Sequence, residues 1–597
     1  MLIDKVIENI NNIFRFKTRV VNIGDVPLGG NNSIRIQSMT TTDTMNKKAT
    51  VEQAIRIIEA GADYIRITAP GVNDAQNLDV IKKELRVRGF QTPLIADIHY
   101  TPNAAEIAAR IVEKVRINPG NYADKKKFEM KEYSDSEYNA ELDRIRNKFF
   151  PLVKICKEYG TAMRIGTNHG SLSDRIMSRY GDTPQGMVES AIEFVRFCEE
   201  LNYYDIVLSM KSSNPIVMVQ AYRLLVNRMI ELGMNYPLHL GVTEAGDGED
   251  GRIKSAIGIG TLLEEGFGDT IRVSLTEEPE YEIPVCKKLV EKYSQNISAS
   301  KEQINIIPIE YNKWDTTPIL NIGGKNVPVV IVSTDNFSDK EAWSLAGDIF
   351  PDYLYSESKI MNNENSSFPV YKYNDIIQFE EINFVEINVD KVSGEFFNRK
   401  YNNTVFVIYT KEKNALFALR NFVFLLKQNK LENPIIIKIV SEVKDKERFL
   451  IDCSIIAGGL LIDGIGNGIW IENKNFGTEE ITNLSFGILQ ASRARISKTD
   501  YISCPSCGRT LFDLQETTAR IKEATSHLKG IKIAIMGCIV NGIGEMADAD
   551  YGYVGSGQGK ITLYKGKEIV KRNIDSTVAV EELINVIKEN NDWKEKK

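Results

Sequence analysis

The sequence lacks any run of about 18 apolar residues, so no membrane-spanning helix is expected. Its N-terminal segment has neither the apolar core of a signal peptide nor the composition of an organelle transit peptide. An excess of basic residues is absent too, because the net charge is −7, and no general attraction to nucleic acid or an anionic membrane surface is expected. Any anionic ligand must therefore be bound by a local cluster of cations.

Cysteine is scarce, and its seven residues are an odd number scattered over a long chain. This usage argues against a disulfide framework and predicts a reducing compartment, the cytoplasm. Three cysteines lie near the C-terminus: Cys504 and Cys507 in ISCPSCGRT, and Cys538 in IAIMGCIVNGIGE, which also contains Glu545. Thiolates at this spacing can bind one metal centre, and a weak carboxylate ligand would leave one exchangeable iron in an iron–sulfur cluster.

Zinc is an alternative occupant of the same cysteines. Cys504, Cys507, His527 and Cys538 would make a Cys3His set, and on spacing alone zinc and an iron–sulfur cluster are equally favoured. Against zinc, His527 falls near the end of a predicted helix, where interaction with the helix dipole explains it more simply. Against a plain electron carrier or a radical adenosylmethionine enzyme, the fourth cysteine and the C-x-x-x-C-x-x-C motif are missing.

Eight short β-branched runs recur through the first ~275 residues, most of them separated by helical stretches such as KATVEQAIRIIEAGA. This rhythm predicts an α/β fold that begins with a (β/α)8 TIM barrel. An open doubly wound sheet is less favoured because no G-x-G-x-x-G follows the first strand. We place the barrel in residues 1–290, a central α/β insertion in 291–490 and a C-terminal α+β metal-binding domain in 491–597.

Polar side chains end the predicted barrel strands, where barrels of this kind build their active sites. They are Gln37, Arg66, Asp97 with His99, Arg116 with Asn118, Arg164 with Asn168, Lys211, Glu244, and Arg272 with Ser274. Five cations at equivalent places predict a strongly anionic ligand such as a diphosphate. The alternative is that each arginine pairs with a neighbouring carboxylate on a solvated rim.

Three of these residues, Asp97, His99 and Glu244, are candidates for proton transfer or charge stabilisation. The segment KSAIGIGTLLEEGF places Lys254 and Ser255 before a small-residue turn and a predicted helix start, a usual anion site. Plain helix–strand packing explains the same glycines. The insertion shows no catalytic constellation, and a spacer or scaffold is expected there.

Taken together, these residues resemble the 4-hydroxy-3-methylbut-2-enyl diphosphate synthase family of the non-mevalonate isoprenoid pathway. The matching stretches are PLIADIHY, VRINPGN, MRIGTNHGSL, HLGVTEAG, KSAIGIGTLL, GDTIRVSL, SCPSCGR and GCIVNGIGEMADAD. The insertion resembles that of the family's three-domain form. One departure is Ile543, where the commoner pattern NGPGE has proline; the change removes no ligand.

The resemblance implies an iron–sulfur oxidoreductase whose C-terminal α+β iron–sulfur domain carries a 4Fe-4S cluster. The implied cluster ligands are Cys504, Cys507, Cys538 and Glu545. The implied diphosphate ligands are Arg66, Arg116, Arg164, Asn168, Lys211, Arg272 and Ser274, and Glu244 matches an acid beside the reacting carbon. Ferredoxin or flavodoxin is the implied electron donor, and a homodimer is allowed because the two-domain form pairs domains between subunits.

Two other classes of protein stay open. One is a non-redox barrel enzyme that carries a structural zinc site on the same cysteines. The other is a cluster-bearing scaffold or electron carrier with a degenerate barrel. The five strand-end cations argue against a degenerate barrel, and Glu545 in place of a fourth cysteine argues against a carrier.

Overall fold

The structure, a computed structural model, describes residues 15–98, 100–122, 132–293, 313–335, 349–375, 381–539, 544 and 548–596. These residues form two compact units. The first unit contains the described residues of 15–255, 266–308 and 498–597, and the second contains those of 256–265 and 309–497. Among the described helices, none combines the length and apolar character needed to cross a membrane.

Eight parallel strands form the barrel that the sequence predicts. They are β3 (Arg35–Met39), β4 (Tyr64–Thr68), β5 (Leu94–Asp97), β6 (Lys114–Ile117), β7 (Ala162–Asn168), β8 (Ile206–Lys211), β9 (His239–Leu240) and β10 (Thr270–Ile271). Their order in the sheet is β8-β7-β6-β5-β4-β3-β10-β9. A parallel bridge between Leu208 and Leu238 joins the two ends of the sheet. The predicted barrel is therefore confirmed.

Helices connect these strands, and several begin at side-chain caps that the sequence supplies. Thr183 and Asn214 each accept a backbone N–H of the first turn, and a proline follows each of them at the first helical position. The helices of this barrel are Lys47–Ala60, Val72–Val87, Pro102–Ala108, Pro119–Tyr122, Asp135–Tyr159, Asp174–Tyr180, Pro184–Glu200, Pro215–Glu231, Gly248–Ser255 and Glu282–Glu291.

An antiparallel hairpin closes the end of the barrel at which the strands begin. Its strands are β1 (Val21–Ile23) and β2 (Val26–Leu28). Apolar side chains of the hairpin pack against Tyr64 and Ala162, the first residues of β4 and β7. Burial of these side chains leaves the opposite end, where the strands finish, as the accessible end of the barrel.

The C-terminal part of the first unit contains a five-stranded sheet. Its strands, in spatial and sequence order, are β19 (Asp500–Ser503), β20 (Lys532–Met536), β21 (Tyr551–Gly557), β22 (Lys560–Lys565) and β23 (Glu568–Asp575). The first three are parallel and the last two pair antiparallel. Helices Leu514–Thr525 and Ala579–Glu589 pack on this sheet. Cys504 follows β19 and Cys538 follows β20, so two neighbouring parallel strands present their cysteines at one sheet edge.

The second unit contains a closed barrel of its own. Its strands are β11 (Val329–Ser333), β12 (Tyr353–Ser356), β13 (Lys359–Asn362), β14 (Ser367–Lys372), β15 (Asn383–Asn388), β16 (Thr404–Tyr409), β17 (Ile435–Val440) and β18 (Gly468–Glu472). β13 pairs antiparallel with both β12 and β14, and the other pairs are parallel. The described α-helices of this unit are Thr261–Glu264, Ala415–Gln428, Lys446–Cys453, Gly459–Leu461 and Thr478–Ala491. The predicted α/β insertion is thus barrel-like.

The glycine-rich segment near residue 258 differs from its prediction. Gly248–Ser255 continues without a break into a π-helix, Ala256–Gly260, and then into Thr261–Glu264. Lys254 and Ser255 therefore lie inside a helix, and the expectation that they precede a helix start is wrong. Gly260 and Ile455 both belong to the second unit, and a Cβ atom at Gly260 would lie 2.3 Å from Ile455 Cγ1. Close packing therefore explains this glycine.

Candidate active site at the barrel mouth

One cavity in the first unit brings the barrel strand ends and the cysteine turn together. It contains about 700 Å³ of empty space, including the solvent at its open mouth. Gln37, Asn118, Lys254, Ser255 and His527 do not line it, whereas twelve other described residues that the sequence analysis singled out do. These are Arg66, Asp97, Arg116, Arg164, Asn168, Lys211, Glu244, Arg272, Ser274, Cys504, Cys507 and Cys538. His99 and Glu545 lie outside the described residues.

Strand register explains how the barrel assembles its cations. Asp97, Arg116 and Arg164 are successive Cα partners on β5, β6 and β7, so their side chains share one side of the sheet. Space for two cations comes from glycines: a Cβ at Gly166 would lie 2.8 Å from Arg116 Nε, and one at Gly241 would lie 2.6 Å from Lys211 Nζ. The strands therefore place charge, and leave room for it, inside the barrel mouth.

These cations are buried and close enough to oppose one another's charge. Burial, and then repulsion from the other cations of the cavity, lowers the pKa of Arg66 to about 10, although Asp97 works in the opposite direction. The same two causes hold the pKa of Lys211 well below its ordinary value. Arg164, which is 1% exposed, behaves likewise. Such a cluster is costly without a counter-charge, and an anionic ligand would supply one.

Carboxylate partners account for some of these arginines and not for others. Arg272 forms a buried ion pair with Glu282 at 2.9 Å. Arg116 Nη1 donates to Asp97 Oδ1 at 3.2 Å. Arg164 Nε and Nη1, in contrast, have no hydrogen-bond partner among the described residues. Pairing with a carboxylate therefore explains Arg272, although the pair is buried and not on a solvated rim, and it does not explain Arg164.

Glu244 occupies a strained turn beside the first cysteine. Its backbone adopts φ +48°, a left-handed conformation that costs a non-glycine residue on the order of 1 kcal/mol. The side chain is 2% exposed and lines the cavity. The next residue, Ala245, forms a parallel bridge with Ser503, which directly precedes Cys504. Backbone pairing therefore holds the Glu244 turn against the strand that carries the cysteine.

The cysteine turn is held by bonds from its own domain and from the barrel. The backbone N–H of Gly537 donates to Cys504 Sγ at 3.3 Å, and that of Cys507 donates to Thr510 Oγ1 at 3.1 Å. Thr276, just after β10, donates to the Cys504 carbonyl at 3.1 Å. Burial raises the pKa of the Cys504 thiol. All seven cysteines are free of disulfides.

The Cys3His set that the sequence offers for zinc is not brought together in the described part of the chain. Within the described residues, no group of three or more His, Cys, Asp or Glu side chains is arranged to hold a metal ion. His527 is occupied elsewhere, because its Nε2 lies 2.7 Å from the Lys594 carbonyl oxygen and its ring contacts Trp593. A multi-iron cluster binds each thiolate to a different iron, so its ligands need not converge on one point.

Lys254 serves a different purpose from the predicted one. Its ammonium pairs with Asp500 Oδ1 at 2.9 Å and donates to the Tyr501 carbonyl at 3.1 Å. It thus joins the barrel to β19 and does not reach the cavity lining. The sequence analysis missed Arg509, whose side chain does line the cavity. The sequence offered one indication of a role in the site, the position of Arg509 two residues after Cys507.

His169, which directly follows β7, contacts Asp548 in the C-terminal part of the chain. Its Nδ1 lies 3.5 Å from Asp548 Oδ2, and its Nε2 lies 3.5 Å from Asp182 Oδ1. Burial favours the neutral ring, but the two carboxylates outweigh it and raise the pKa of His169 above its usual 6.5. The folded protein therefore holds this proton more tightly than the unfolded chain does.

We expect this link to stabilise the protein at acidic pH and to be lost as pH rises. A raised histidine pKa gives its full stabilisation below the unfolded value, and loses it as pH passes through the folded value. The free energy of unfolding should fall by up to about 1 kcal/mol more in the wild type than in His169→Gln between pH 6 and 8.5. Urea unfolding at both pH values measures this, and identical slopes would contradict it.

Comparisons with known proteins agree with this arrangement of barrel and cysteine domain. The GcpE TIM-barrel domain matches residues 18–287, and the GcpE protein C-terminal domain matches residues 500–589. A 4-hydroxy-3-methylbut-2-en-1-yl diphosphate synthase (flavodoxin) from Parabacteroides distasonis is 49% identical over 98% of this chain and 99% of its own. A protein of the same name from Leptospira interrogans is 48% identical over 97% of this chain and 97% of its own. Another from Phocaeicola vulgatus is 47% identical over 98% of this chain and 99% of its own. The chain therefore belongs to the GcpE family.

Proposed function

We propose that this chain converts 2-C-methyl-D-erythritol 2,4-cyclodiphosphate to 4-hydroxy-3-methylbut-2-enyl diphosphate by reductive ring opening and dehydroxylation. The reaction takes up two electrons and the protons that balance them and releases water, and a 4Fe-4S cluster bound by this chain would supply the electrons. The relatives are named for this activity, and this chain matches them over nearly their full length. The observation that carries the proposal is one cavity with buried cations and Glu244 on the barrel side and three thiols on the other.

The barrel cations hold the diphosphate. Arg66, Arg116, Arg164, Lys211 and Arg272 bind its oxygens, with Asn168 and Ser274 as neutral partners. The unpaired donors of Arg164 support this role, since a buried guanidinium requires acceptors. An anion also relieves the mutual repulsion that lowers the pKa of Lys211. As the ring C–O bond breaks, the same cations stabilise the negative charge that develops on the departing phosphate oxygen.

The cysteines hold the cluster together with Glu545, which the sequence places seven residues after Cys538. Three half-exposed thiols on one cavity wall suit thiolate coordination of iron. When bound, the cluster would supply electrons and one iron with an exchangeable, Lewis-acidic position. Glu545 suits that position because a carboxylate is a weaker, more easily displaced ligand of this iron than a thiolate.

Glu244 and Asp97 supply the acid–base and electrostatic groups. Glu244 stabilises positive character at the reacting carbon or holds a proton there, and its strained backbone and burial support a functional role. Asp97 orients Arg116 through their hydrogen bond. His99 remains a candidate from the sequence, as the residue two positions after Asp97.

The electron donor is flavodoxin, which the names of the relatives include, and ferredoxin is the alternative. Barrel and C-terminal sheet of one chain lie in a single compact unit, which supports a cavity assembled within one chain. A homodimer is compatible with this arrangement. Seven cysteines that form no disulfide suit the reducing cytoplasm. We propose the three-domain division 1–290, 291–490 and 491–597, with the insertion as a spacer.

The test is the iron, sulfide and zinc content of protein purified without oxygen, followed by turnover of the cyclic diphosphate with reduced flavodoxin. We expect about four iron and four sulfide per chain, and formation of the linear diphosphate. Stoichiometric zinc without sulfide would overturn the proposal in favour of a non-redox barrel enzyme. A full cluster without turnover would reduce the protein to a cluster-bearing scaffold.

A further inference from the structure

Arg509 is a cation of the cavity that comes from the cysteine domain and not from the barrel. It lies two residues after Cys507, and its side chain is 12% exposed. It lines the same cavity as the barrel cations. None of the roles derived above uses this residue.

The guanidinium of Arg509 links the cysteine turn to the barrel through one carboxylate. Its Nη2 donates to Asp97 Oδ2 at 3.1 Å, while Arg116 Nη1 donates to Asp97 Oδ1 at 3.2 Å. Asp97 therefore lies between an arginine of the barrel and an arginine of the cysteine domain. The remaining donors of Arg509, Nε and Nη1, have no hydrogen-bond partner in the described part of the chain.

The thiols of Cys507 and Cys538 line the cavity together with Arg509. Burial by itself would lower the pKa of this arginine, but Cys507, Asp97 and Cys538 together raise it. Asp97 accounts for one of its donors. Arg509, Cys507 and Cys538 line the same cavity, on the side where the proposed cluster would be held.

We propose that Arg509 is a positioning residue that fixes a positive charge beside the thiolates of Cys507 and Cys538, and is itself oriented by Asp97. The inference rests on the proposed function, because it concerns the cluster held by these thiolates. A cluster gains negative charge when it is reduced, so a fixed cation next to its sulfurs favours the reduced form. An arginine keeps this charge at every accessible pH.

The test compares Arg509→Gln with Arg509→Lys in the reconstituted holoenzyme. Redox titration followed by electron paramagnetic resonance measures the midpoint potential of the cluster in each. We expect a more negative potential in Arg509→Gln and a potential close to the wild type in Arg509→Lys. Steady-state kinetics should show kcat reduced about 10-fold in Arg509→Gln, with KM within about twofold of the wild type.

Arg520→Gln is the matched control, since it removes the same charge from an exposed position of the same domain. Its potential and kinetics should equal those of the wild type. An unchanged potential in Arg509→Gln would overturn the inference, as would a rise in KM alone, which would make Arg509 a substrate ligand. If Arg509→Gln does not retain iron, the Lys variant decides, because a shifted potential there would refute a role of charge. A wild type without a cluster would refute the proposed function itself.

Discussion

Replacing Arg164 with methionine is expected to lower kcat/KM for the cyclic diphosphate about 100-fold or more, and at the same time to stabilise the ligand-free protein. Arg164 is 1% exposed and has two donors without a partner among the described residues. Removing a buried, charged contact to a ligand weakens binding by about 2–5 kcal/mol or more. A 100-fold loss in kcat/KM corresponds to about 2.7 kcal/mol, which lies within that range.

The same buried charge that binds the ligand destabilises the ligand-free protein, so its removal should increase stability while it lowers kcat/KM. Without ligand, Arg164 is a buried charge that Arg66 and Arg116 repel, and its pKa is well below normal. An apolar side chain of similar length removes that cost, so the free energy of unfolding should rise by about 1 kcal/mol or more. A binding site that is costly without its ligand is a recognised source of such opposite effects.

Steady-state kinetics and urea unfolding of ligand-free protein measure the two effects. Arg196→Met is the matched control, because Arg196 lies exposed on the barrel helix Pro184–Glu200. That variant should change neither quantity appreciably. Full activity in Arg164→Met would exclude Arg164 from the diphosphate site, and a loss of stability would show that it has a partner of its own.

Replacing Cys538 with alanine is expected to abolish turnover, by about 1000-fold or more, through loss of the cluster. Cys538 follows the buried strand β20 and is itself half-buried. The strand's core residues are unaffected, so the fold should survive the loss of one thiol. An iron centre with two of its three thiolates has lost one coordination bond.

Iron and sulfide analysis, visible absorption and activity measure this effect, and circular dichroism checks the fold. Cys453→Ala is the control, since Cys453 is a buried cysteine at the end of Lys446–Cys453 in the second unit. It should keep the full iron content and activity. A Cys538→Ala protein that retained four irons and turned over normally would remove Cys538 from the ligand set.

The barrel and its cations could be predicted because both depend on strict periodicity. Alternate residues of a strand share one face, so Asp97, Arg116 and Arg164 fall together once the strands are recognised. The cysteines are recognisable by spacing alone. The antiparallel pairs of β13 with β12 and β14 in the second barrel depend on pairing between strands that propensity does not specify.

The errors have equally physical causes. Lys254 looked like an anion ligand because its glycines resemble a turn, but the helix continues through them and the glycines serve packing. Arg509 was missed because a lone arginine after a cysteine pair belongs to no repeating pattern. Its partner Asp97 is 412 positions away in the sequence, a contact that local reasoning does not reach.

Two positions without any functional group set how closely the barrel and cysteine loops approach. Gly170 lies two residues after Asn168, and a Cβ there would be 2.5 Å from the Gly544 carbonyl oxygen; a Cβ at Gly544 would be 2.5 Å from that of Gly170. Any larger residue at either position must separate the two backbones. Water entering that gap would raise the local dielectric constant and weaken the electrostatic interactions nearby. The close contact between these two backbones thus requires a hydrogen atom, and not a side chain, at both positions.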